Sequence, residues 1–258
     1  MGNLPQIRQS LLKPILDARP LKKRIGLIIL ATDHTTEPDF QRMVAGPDIG
    51  IYVSRIPYAN PTSPENLRKM QPSLTDGAAR ILPGEELDAI CYSCTAASVV
   101  IGDDAVRAAI TVAKPSAPVV TPAEASVRGL RALGARRISI LTPYTVETSR
   151  PVLDYFATQD FEIASFTCLG LEDDREMARI SPMSLVTLAR DTIAGDADAL
   201  FISCTAVRAA LAAIEIEQAL GKPLVSSNLA TAWACLRLCG DQEPRPRLGR
   251  LMTLPLAG

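Results

Sequence analysis

The feature of this sequence that most constrains its fold is an internal repeat. RIGLIILAT at 24–32 resembles RISILTPYT at 137–145, and LDAICYSCTAASVV at 87–100 resembles ADALFISCTAVRAA at 197–210. These matches have offsets of 113 and 110 residues, and the later matches of PVV with PLV and of LRALG with LRLCG have offsets of 105 and 106. Offsets that fall slowly in chain order indicate a duplicated unit with small insertions and deletions. Two copies of this period exclude a solenoid and predict two similar lobes that face each other across a cleft.

Short apolar runs rich in β-branched residues predict the strands of both copies, and longer stretches with helical spacing lie between them. This alternation is typical of an α/β fold in which helices flank a parallel sheet. The predicted strands are IGLIIL, DAICY, APVV, RISIL, DALFI and KPLVS. The predicted helices cover residues 66–82, 103–114, 123–133, 149–159, 184–194 and 206–220.

The two lobes need not be contiguous segments of the chain. The last strand and helix, at 222–240, repeat a unit that precedes the second copy in the first half. We therefore predict an N-terminal extension over 1–23, a first lobe formed by 24–120 plus 223–258, and a second lobe over 121–222. In the extension, basic residues interrupt the apolar ones, which argues against a secretory signal.

Composition narrows the class of partner. The 258 residues carry 27 basic and 28 acidic side chains. This balance lacks the excess of basic side chains that binding to a nucleic-acid backbone would need. The apolar runs are far shorter than the roughly 20 residues that cross a bilayer. Six cysteines are too sparse for a disulfide scaffold. We therefore expect a cytoplasmic protein with free thiols and a small-molecule partner, assembled as a homo-oligomer, either a dimer or a tetramer.

Each copy of the repeat contains the tetrapeptide SCTA, at 93–96 and at 203–206. In each, an apolar strand leads into the motif and a helix is expected directly after it. The carboxyl end of a parallel strand opens onto the ligand crevice, and a helix N-terminus offers free N–H groups. We therefore expect the thiol pKa values of Cys94 and Cys204 to fall from about 8.5 toward neutrality. The hydroxyls of Thr95 and Thr205 are extra donors for a substrate carboxylate.

Two cysteines that point into one cleft suit acid–base chemistry on opposite faces of a substrate. One thiolate can remove a proton or add to carbon while the other thiol delivers a proton. No GxGxxG or GxxxxGK[ST] nucleotide motif is present. This pattern favours an isomerase or racemase that needs no cofactor.

Other roles for the cysteines are possible. Buried cysteines are often inert. Cys91 and Cys94 form a CxxC motif that would suit a redox pair or half of a zinc site. Only Cys235 and Cys239 could complete a four-cysteine zinc site, and their CxxxC spacing lies in a predicted helix. We therefore expect no metal, and we place Cys168, Cys235 and Cys239 in the core.

His34 is the single histidine of the chain and follows the first predicted strand. A near-neutral pKa is typical of histidine, so that a contact with substrate or a proton-shuttle role is one reading. A surface or capping role is the other.

Six segments carry a resemblance to a known family, and together they span about 24–255. They are RIGLIILATDHTTEPDF, ICYSCTAAS, ILTPYT, LEDDREMARISP, FISCTA and PLVSSNLATAW. The chain resembles the aspartate/glutamate racemase superfamily, in the branch of maleate cis-trans isomerase and arylmalonate decarboxylase, and most closely its ectoine-utilisation subgroup. The resemblance implies a two-lobed fold with the active site in the cleft, and a cofactor-independent isomerase or racemase of a small carboxylate.

The resemblance also implies roles for single residues. Cys94 matches the nucleophile or base of the first lobe, and Cys204 matches the acid or base of the second. In maleate isomerases the first cysteine adds to the alkene and the second protonates the neighbouring carbon. Tyr144 matches a tyrosine that contacts a substrate carboxylate, and Thr35 belongs to a Thr-Thr pair that follows the first strand.

The chain departs from maleate isomerases at two positions. His34 stands where they have Asn, and Asp174 stands where they have a substrate-binding Asn. A carboxylate at Asp174 would repel a dicarboxylate and attract an ammonium or amidine nitrogen, as in amino acids derived from ectoine or hydroxyectoine. Asp174 can instead be a solvated charge in the acidic run 172–176.

Two alternative functions remain open. Arylmalonate decarboxylases use a single cysteine, in the second lobe, so that Cys94 counts against this activity. A non-catalytic protein that binds a small carboxylate in ectoine utilisation is the other alternative.

Overall fold

Two four-stranded parallel sheets organise the chain, in a computed structural model that describes residues 5–256. In the first sheet the strands β1 (Lys23–Leu30), β2 (Ile49–Ile56), β3 (Ala89–Tyr92) and β4 (Val119–Val120) have the order β2-β1-β3-β4. In the second sheet β5 (Arg137–Thr142), β6 (Glu162–Cys168), β7 (Ala199–Ile202) and β8 (Leu224–Ser226) have the order β6-β5-β7-β8. The two orders are the same, which confirms the predicted fold of two similar α/β lobes.

Helices connect the strands and cover the sheets. They are α1 (Thr36–Met43), α2 (Pro64–Arg68), α3 (Leu74–Ala79), α4 (Thr95–Ile101), α5 (Asp103–Ala113), α6 (Pro122–Ala132), α7 (Val146–Thr158), α8 (Asp174–Met177), α9 (Pro182–Thr192), α10 (Ala213–Leu220) and α11 (Ser227–Leu238).

The repeat extends to individual hydrogen bonds at the point where each SCTA motif leaves its sheet. The N–H of Ser93 donates to the carbonyl of Ile28 at 2.8 Å, and the N–H of Ser203 donates to the carbonyl of Leu141 at 2.9 Å. Each bond joins the start of the motif to the neighbouring central strand. The two cysteines therefore leave equivalent sheet positions.

The sequence analysis missed the edge strands β2 and β6. Their sequences, IGIYVSRI and EIASFTC, mix polar and small residues with apolar ones, and each strand pairs on one side only. Edge strands are partly exposed, so they lack the continuous apolar run that marks a buried parallel strand.

Two predicted helices are shorter than their apolar spacing indicated. The stretch 66–82 is divided into α2, a 3₁₀ turn at Gln71–Ser73 and α3, because Pro72 has no N–H to continue a helix. The stretch 206–220 is helical only from Ala213 onward.

The C-terminal segment is shared between the lobes. The predicted first lobe included 223–258, but β8 pairs with β7 in the second sheet. Only after β8 does the chain cross over, where α11 packs against β3, β4 and α1 of the first lobe. In the same way α6, which follows β4, packs against β8 and α11. These two helices fill the space between the sheets.

The predicted extension 1–23 contains no helix or strand over residues 5–22, most of which are exposed, and β1 begins at Lys23. Residues 1–4 and 257–258 lie outside the described residues. Within 5–256, no helix combines the length and the apolar character that crossing a bilayer requires.

Close packing of α3 on the first sheet leads to a stability prediction. A Cβ at Gly77 would lie 2.7 Å from Cγ2 of Ile56 and 3.3 Å from Cγ2 of Ile28. Both are β-branched strand residues that cannot swing away, and overpacking of this kind costs about 1–3 kcal/mol, less about 1 kcal/mol for the better helix propensity of alanine. We expect G77A to lower the free energy of unfolding by up to about 2 kcal/mol in urea titrations.

The matched control is G46A, because a Cβ at Gly46 would meet nothing within 4 Å. Equal urea midpoints for the two variants would contradict the packing described here.

Candidate active site

One small cavity lies between the carboxyl ends of the two sheets and receives residues from both lobes. Its volume of about 20 Å³ is enough for little more than one water molecule. The cavity brings together five residues that the sequence analysis selected as candidate site residues: Cys94, Cys204, Tyr144, Asp174 and Thr205. The remaining lining residues are Leu30, Asp33, Tyr58, Thr62, Leu67, Ala96, Met177 and Ala206.

Cys94 occupies the predicted position at the start of a helix. It follows β3, has extended backbone angles (φ −154°, ψ 108°) and directly precedes α4. The N–H of Ala97 in the first turn of this helix favours the thiolate of Cys94. The side chain is 7% exposed and faces the cavity.

Cys204 has a different environment, which corrects the prediction of a helix directly after it. Its φ of +91° lies in the left-handed region, which is rare for a residue with a side chain. The chain then bends and turns until α10, and the N–H groups of Ala206 and Val207 favour the thiolate of Cys204. The Cys204 sulfur also lies 3.9 Å from the sulfur of Met177.

The expectation of lowered thiol pKa values is wrong. Burial raises the pKa of Cys204 to about 11, although the Tyr144 hydroxyl and two backbone N–H groups oppose this shift. Burial raises the pKa of Cys94 further, because only the Ala97 N–H opposes it and the charges of Cys204, Asp33 and Asp174 add to it. Loss of water around a thiolate therefore outweighs the helix N-terminus. Both thiols are protonated at neutral pH.

Two phenols line the cavity with the thiols: that of Tyr144 is buried and that of Tyr58 is half-buried. Burial, together with the nearby thiols, raises the pKa of Tyr144 well above its usual value, and the same causes raise that of Tyr58. Both hydroxyls therefore stay protonated and can donate hydrogen bonds. The Tyr58 hydroxyl also lies 2.5 Å from Oγ1 of Thr62.

Asp174 is buried, with 5% of its surface exposed, so it is not a solvated charge. Its carboxylate accepts a hydrogen bond from the hydroxyl of Thr32 and another from Nδ2 of Asn60 at 3.0 Å. Both donors belong to the first lobe, whereas Asp174 belongs to the second. Asp174 thus joins the two lobes at the wall of the cavity.

Asp33 is a second carboxyl group in the cavity, and the sequence analysis missed it. Its Oδ1 accepts from the N–H groups of Thr35 and Thr36, at 2.7 and 2.8 Å, so it caps α1. Burial raises its pKa despite these bonds. Its position shortly after β1, close to the polar Thr-Thr pair, was the sequence signal that could have identified it as a site residue. Among the described residues, no Lys, Arg or His lines the cavity.

The remaining selected residues lie at different depths around the cavity. Thr205 lines it. Thr35 and Thr95 lie just behind its wall and bridge segments: Oγ1 of Thr35 donates to the carbonyl of Ala206 at 2.6 Å, and Oγ1 of Thr95 bonds Oγ of Ser227 at 2.7 Å. His34 is exposed and points away from the cavity into an outer groove.

The other four cysteines are free thiols outside the cavity lining. Cys91, Cys235 and Cys239 are buried and Cys168 is partly exposed. Over residues 5–256, no three His, Cys, Asp or Glu side chains are grouped as a metal site.

Comparison with known proteins gives consistent relatives over almost the whole chain. Residues 73–252 match the arylmalonate decarboxylase family. The arylmalonate decarboxylase of Bordetella bronchiseptica is 31% identical, with 88% of this chain and 95% of that protein covered. A maleate isomerase of Geobacillus stearothermophilus is 26% identical, with 89% and 97% covered.

A solved structure is also similar in fold and carries a covalent cysteine adduct. It is a cysteine-to-serine mutant of the Nocardia farcinica maleate cis-trans isomerase with a covalently bound succinylcysteine intermediate. Its TM-score is 0.82 at 26% identity, and the match covers 90% of this chain and 98% of that one.

The raised thiol pKa values lead to a prediction for alkylation. At neutral pH about one Cys204 in ten thousand is a thiolate when its pKa is about 11. We expect iodoacetamide to modify Cys94 and Cys204 more slowly than Cys168, and the Cys204 rate to keep rising with pH up to about 11, as followed by mass spectrometry of peptides.

Urea-unfolded protein is the control, in which all six cysteines should react at similar rates. A Cys204 rate that levels off near neutral pH in the folded protein contradicts the raised pKa.

Proposed function

Because this chain belongs to the arylmalonate decarboxylase family, we propose that it is a cofactor-independent isomerase of a small carboxylate that works through Cys94 and Cys204. The observation that carries this proposal is that one cavity is lined by two cysteines, one from each lobe. Tyr144 and the backbone N–H groups near the thiols are donors for a substrate carboxylate.

The electrostatics of the cavity support different roles for the two thiols, one as nucleophile or base and the other as acid. A charge on Cys204 raises the pKa of Cys94, so that ionisation of one thiol keeps the other protonated. A pair in this state holds one nucleophile or base and one acid. Two-thiol isomerisation needs one of each.

In the proposed cycle, Cys94 releases its proton to solvent while the loops are open, and its thiolate then adds to one alkene carbon of the substrate as the electron pair moves to the neighbouring carbon. The thiol of Cys204 gives its proton to that carbon, which leaves a single bond that can rotate. Cys204 then takes the proton back and the carbon–sulfur bond breaks, so that Cys94 is again a thiolate. Racemisation would use the same pair, with one thiolate removing the α-proton and the other thiol replacing it on the opposite face.

The cavity charges support a substrate that carries a nitrogen cation beside its carboxylate. Two carboxyl groups, Asp33 and Asp174, line the cavity and no basic side chain of the described residues does. A dicarboxylate such as maleate would meet repulsion there, whereas an ammonium or amidine group would pair with Asp174. This supports amino acids derived from ectoine or hydroxyectoine, in line with the resemblance to the ectoine-utilisation subgroup.

Substrate entry requires the lobes to separate at one loop contact. The cavity of about 20 Å³ is smaller than any such carboxylate. Bonds between the loops close it: the N–H of Thr62 donates to the carbonyl of Glu172 at 2.7 Å, and Nδ2 of Asn60 donates to Oδ1 of Asp173 at 2.9 Å. These bonds, with those of Asn60 to Asp174, form the contact that must open.

Single substitution of the two cysteines tests the mechanism. We expect C94S and C204S each to lower kcat by at least about 10²-fold, because each removes a proton-transfer group or nucleophile. With C204S and a high concentration of maleate, we also expect a slowly formed covalent adduct on Cys94, because water can protonate the neighbouring carbon but no thiolate is present to take that proton back. Turnover assays and intact-protein mass spectrometry measure the two effects.

The control is C168S, which changes a thiol outside the cavity and should retain turnover. If either C94S or C204S turns over at the rate of the unchanged protein, the two-thiol mechanism fails.

Asp174 gives a separate prediction for substrate class. We expect D174N to weaken binding of amino-bearing carboxylates by about tenfold or more, because it removes a charge-assisted hydrogen bond. Binding of maleate should be unchanged or tighter. Thermal-shift and calorimetric titrations with maleate, ectoine, hydroxyectoine and their hydrolysis products measure this.

E176Q is the matched control, since Glu176 is exposed, pairs with Arg179 and does not line the cavity. If the unchanged protein binds maleate more tightly than every amino-bearing compound, Asp174 does not pair with a substrate cation. The thiol mechanism would not be affected by that result.

A decarboxylase is the second candidate, favoured by the family match and by the 31% identity to an arylmalonate decarboxylase. Release of carbon dioxide from phenylmalonate that persists in C94S but not in C204S would establish it. Tight binding without turnover of any compound would instead indicate a carboxylate-binding protein.

A further inference from the structure

A second concave site lies outside the cavity, on the line where the lobes meet. It is a groove of about 260 Å³, open to solvent. Its first-lobe wall comes from α1 and the residues before it, including His34, Thr35 and Arg42. Its second-lobe wall comes from the turn after Cys204, including Arg208. The proposed isomerase mechanism uses none of its basic residues.

A hydrogen bond between the lobes lies where the groove adjoins the cavity. Oγ1 of Thr35 donates to the carbonyl of Ala206 at 2.6 Å. Thr35 lines the groove on one side of this bond, and Ala206 lines the cavity on the other. A ligand in the groove would therefore touch both lobes directly beside the cavity wall.

Arg208 is a half-buried cation that lacks an anionic partner. Its Nη2 donates to the carbonyls of Ile180 at 2.9 Å and Arg179 at 3.4 Å. Its Nε is buried and has no hydrogen-bond partner among the described residues, and no carboxylate of residues 5–256 pairs with this guanidinium. A buried charged group without a partner is costly, and an anion in the groove would remove that cost.

The other charged groups of the groove leave it net positive. Arg42 pairs with Asp39 at 2.9 Å. The second oxygen of Asp39 accepts from Nδ2 of Asn228, also at 2.9 Å, so both carboxylate oxygens are already bonded. Two guanidinium groups thus face one carboxylate, and His34 adds a donor that becomes cationic when protonated.

We propose that this groove binds an oxyanion of the carboxylate or phosphate class, held between Arg208 of one lobe and Arg42 and His34 of the other. Guanidinium groups suit such ligands, because their N–H donors match the spacing of carboxylate and phosphate oxygens. The anion bridges the lobes on the outer side of the cavity wall. This proposal does not rest on the isomerase function, since binding can be measured without turnover.

His34 makes the test direct, because it is the only histidine of the chain. The imidazole Cε1 proton therefore gives one proton NMR signal in this class. We expect this signal to move saturably when inorganic phosphate is added at fixed pH and fixed ionic strength. Chloride at the same ionic strength should not move it in this way.

Three variants test whether phosphate binds in this groove: R208Q, R208K and R190Q. We expect R208Q to weaken phosphate binding by about tenfold or more, and R208K to weaken it less, because lysine keeps the charge but loses the planar donor set. R190Q is the matched control: Arg190 lies on α9 in a neighbouring groove and its loss should leave binding unchanged. Circular dichroism and thermal melting confirm that each variant is folded.

A shift that is linear in salt, equal for chloride and phosphate, or equally reduced by R190Q and R208Q overturns the proposal. Competition separates the two sources of the anion. Displacement of phosphate by an amino-bearing carboxylate that occupies the cavity identifies the groove as the site for a distal group of the same molecule. Simultaneous binding of both identifies a separate anion.

Discussion

The contact between the two SCTA turns is the interaction on which the rest of the site depends. Oγ1 of Thr205 donates to the carbonyl of Ser93 at 3.2 Å, so a residue directly after one cysteine is tied to the residue directly before the other. The bond from Thr35 to the carbonyl of Ala206 is a second tie between the first lobe and the turn that contains Cys204. Parallel strands place the carboxyl ends of both sheets at this boundary, and side-chain-to-backbone bonds hold the turns together. The relative position of the two thiols is therefore set by short local contacts rather than by the distant parts of the lobes.

Burial is the largest influence on the thiols, the phenols and Asp33 of the cavity. It raises the pKa values of Cys94 and Cys204, of Tyr58 and Tyr144, and of Asp33, in each case as the largest cause. The thiols and the phenols are therefore neutral at neutral pH. When charge develops on a thiol or on a bound molecule, N–H and O–H donors already line the cavity. Fixed donors stabilise such charge without having to reorganise.

The sequence predicted the fold because the repeat is carried by the buried central strands, whose apolar runs are continuous. The edge strand β2 escaped detection because its exposed side allows a charged residue such as Arg55 and because the buried Ser54 interrupts its apolar run. The paired cysteines were predictable from their identical flanks. The backbone at Cys204 was not, because the same tetrapeptide continues as a helix in one copy and as turns in the other. Asp33 and Asp174 depend on loops that meet only in three dimensions, and no local pattern shows whether such a carboxylate is buried.

The left-handed backbone at Cys204 breaks the symmetry of the repeat at the reacting atoms. Three donors favour the Cys204 thiolate and one favours that of Cys94, so the two halves offer unequal proton affinities. A racemase converts mirror images, for which the overall equilibrium constant is one, and kcat/KM must then be equal in both directions. With unequal thiols, kcat would differ between the two directions, and KM would differ by the same factor, so that kcat/KM stays equal. A geometric isomerisation carries no such mirror constraint, so two thiols of unequal proton affinity can keep separate roles as nucleophile and acid in both directions of the reaction.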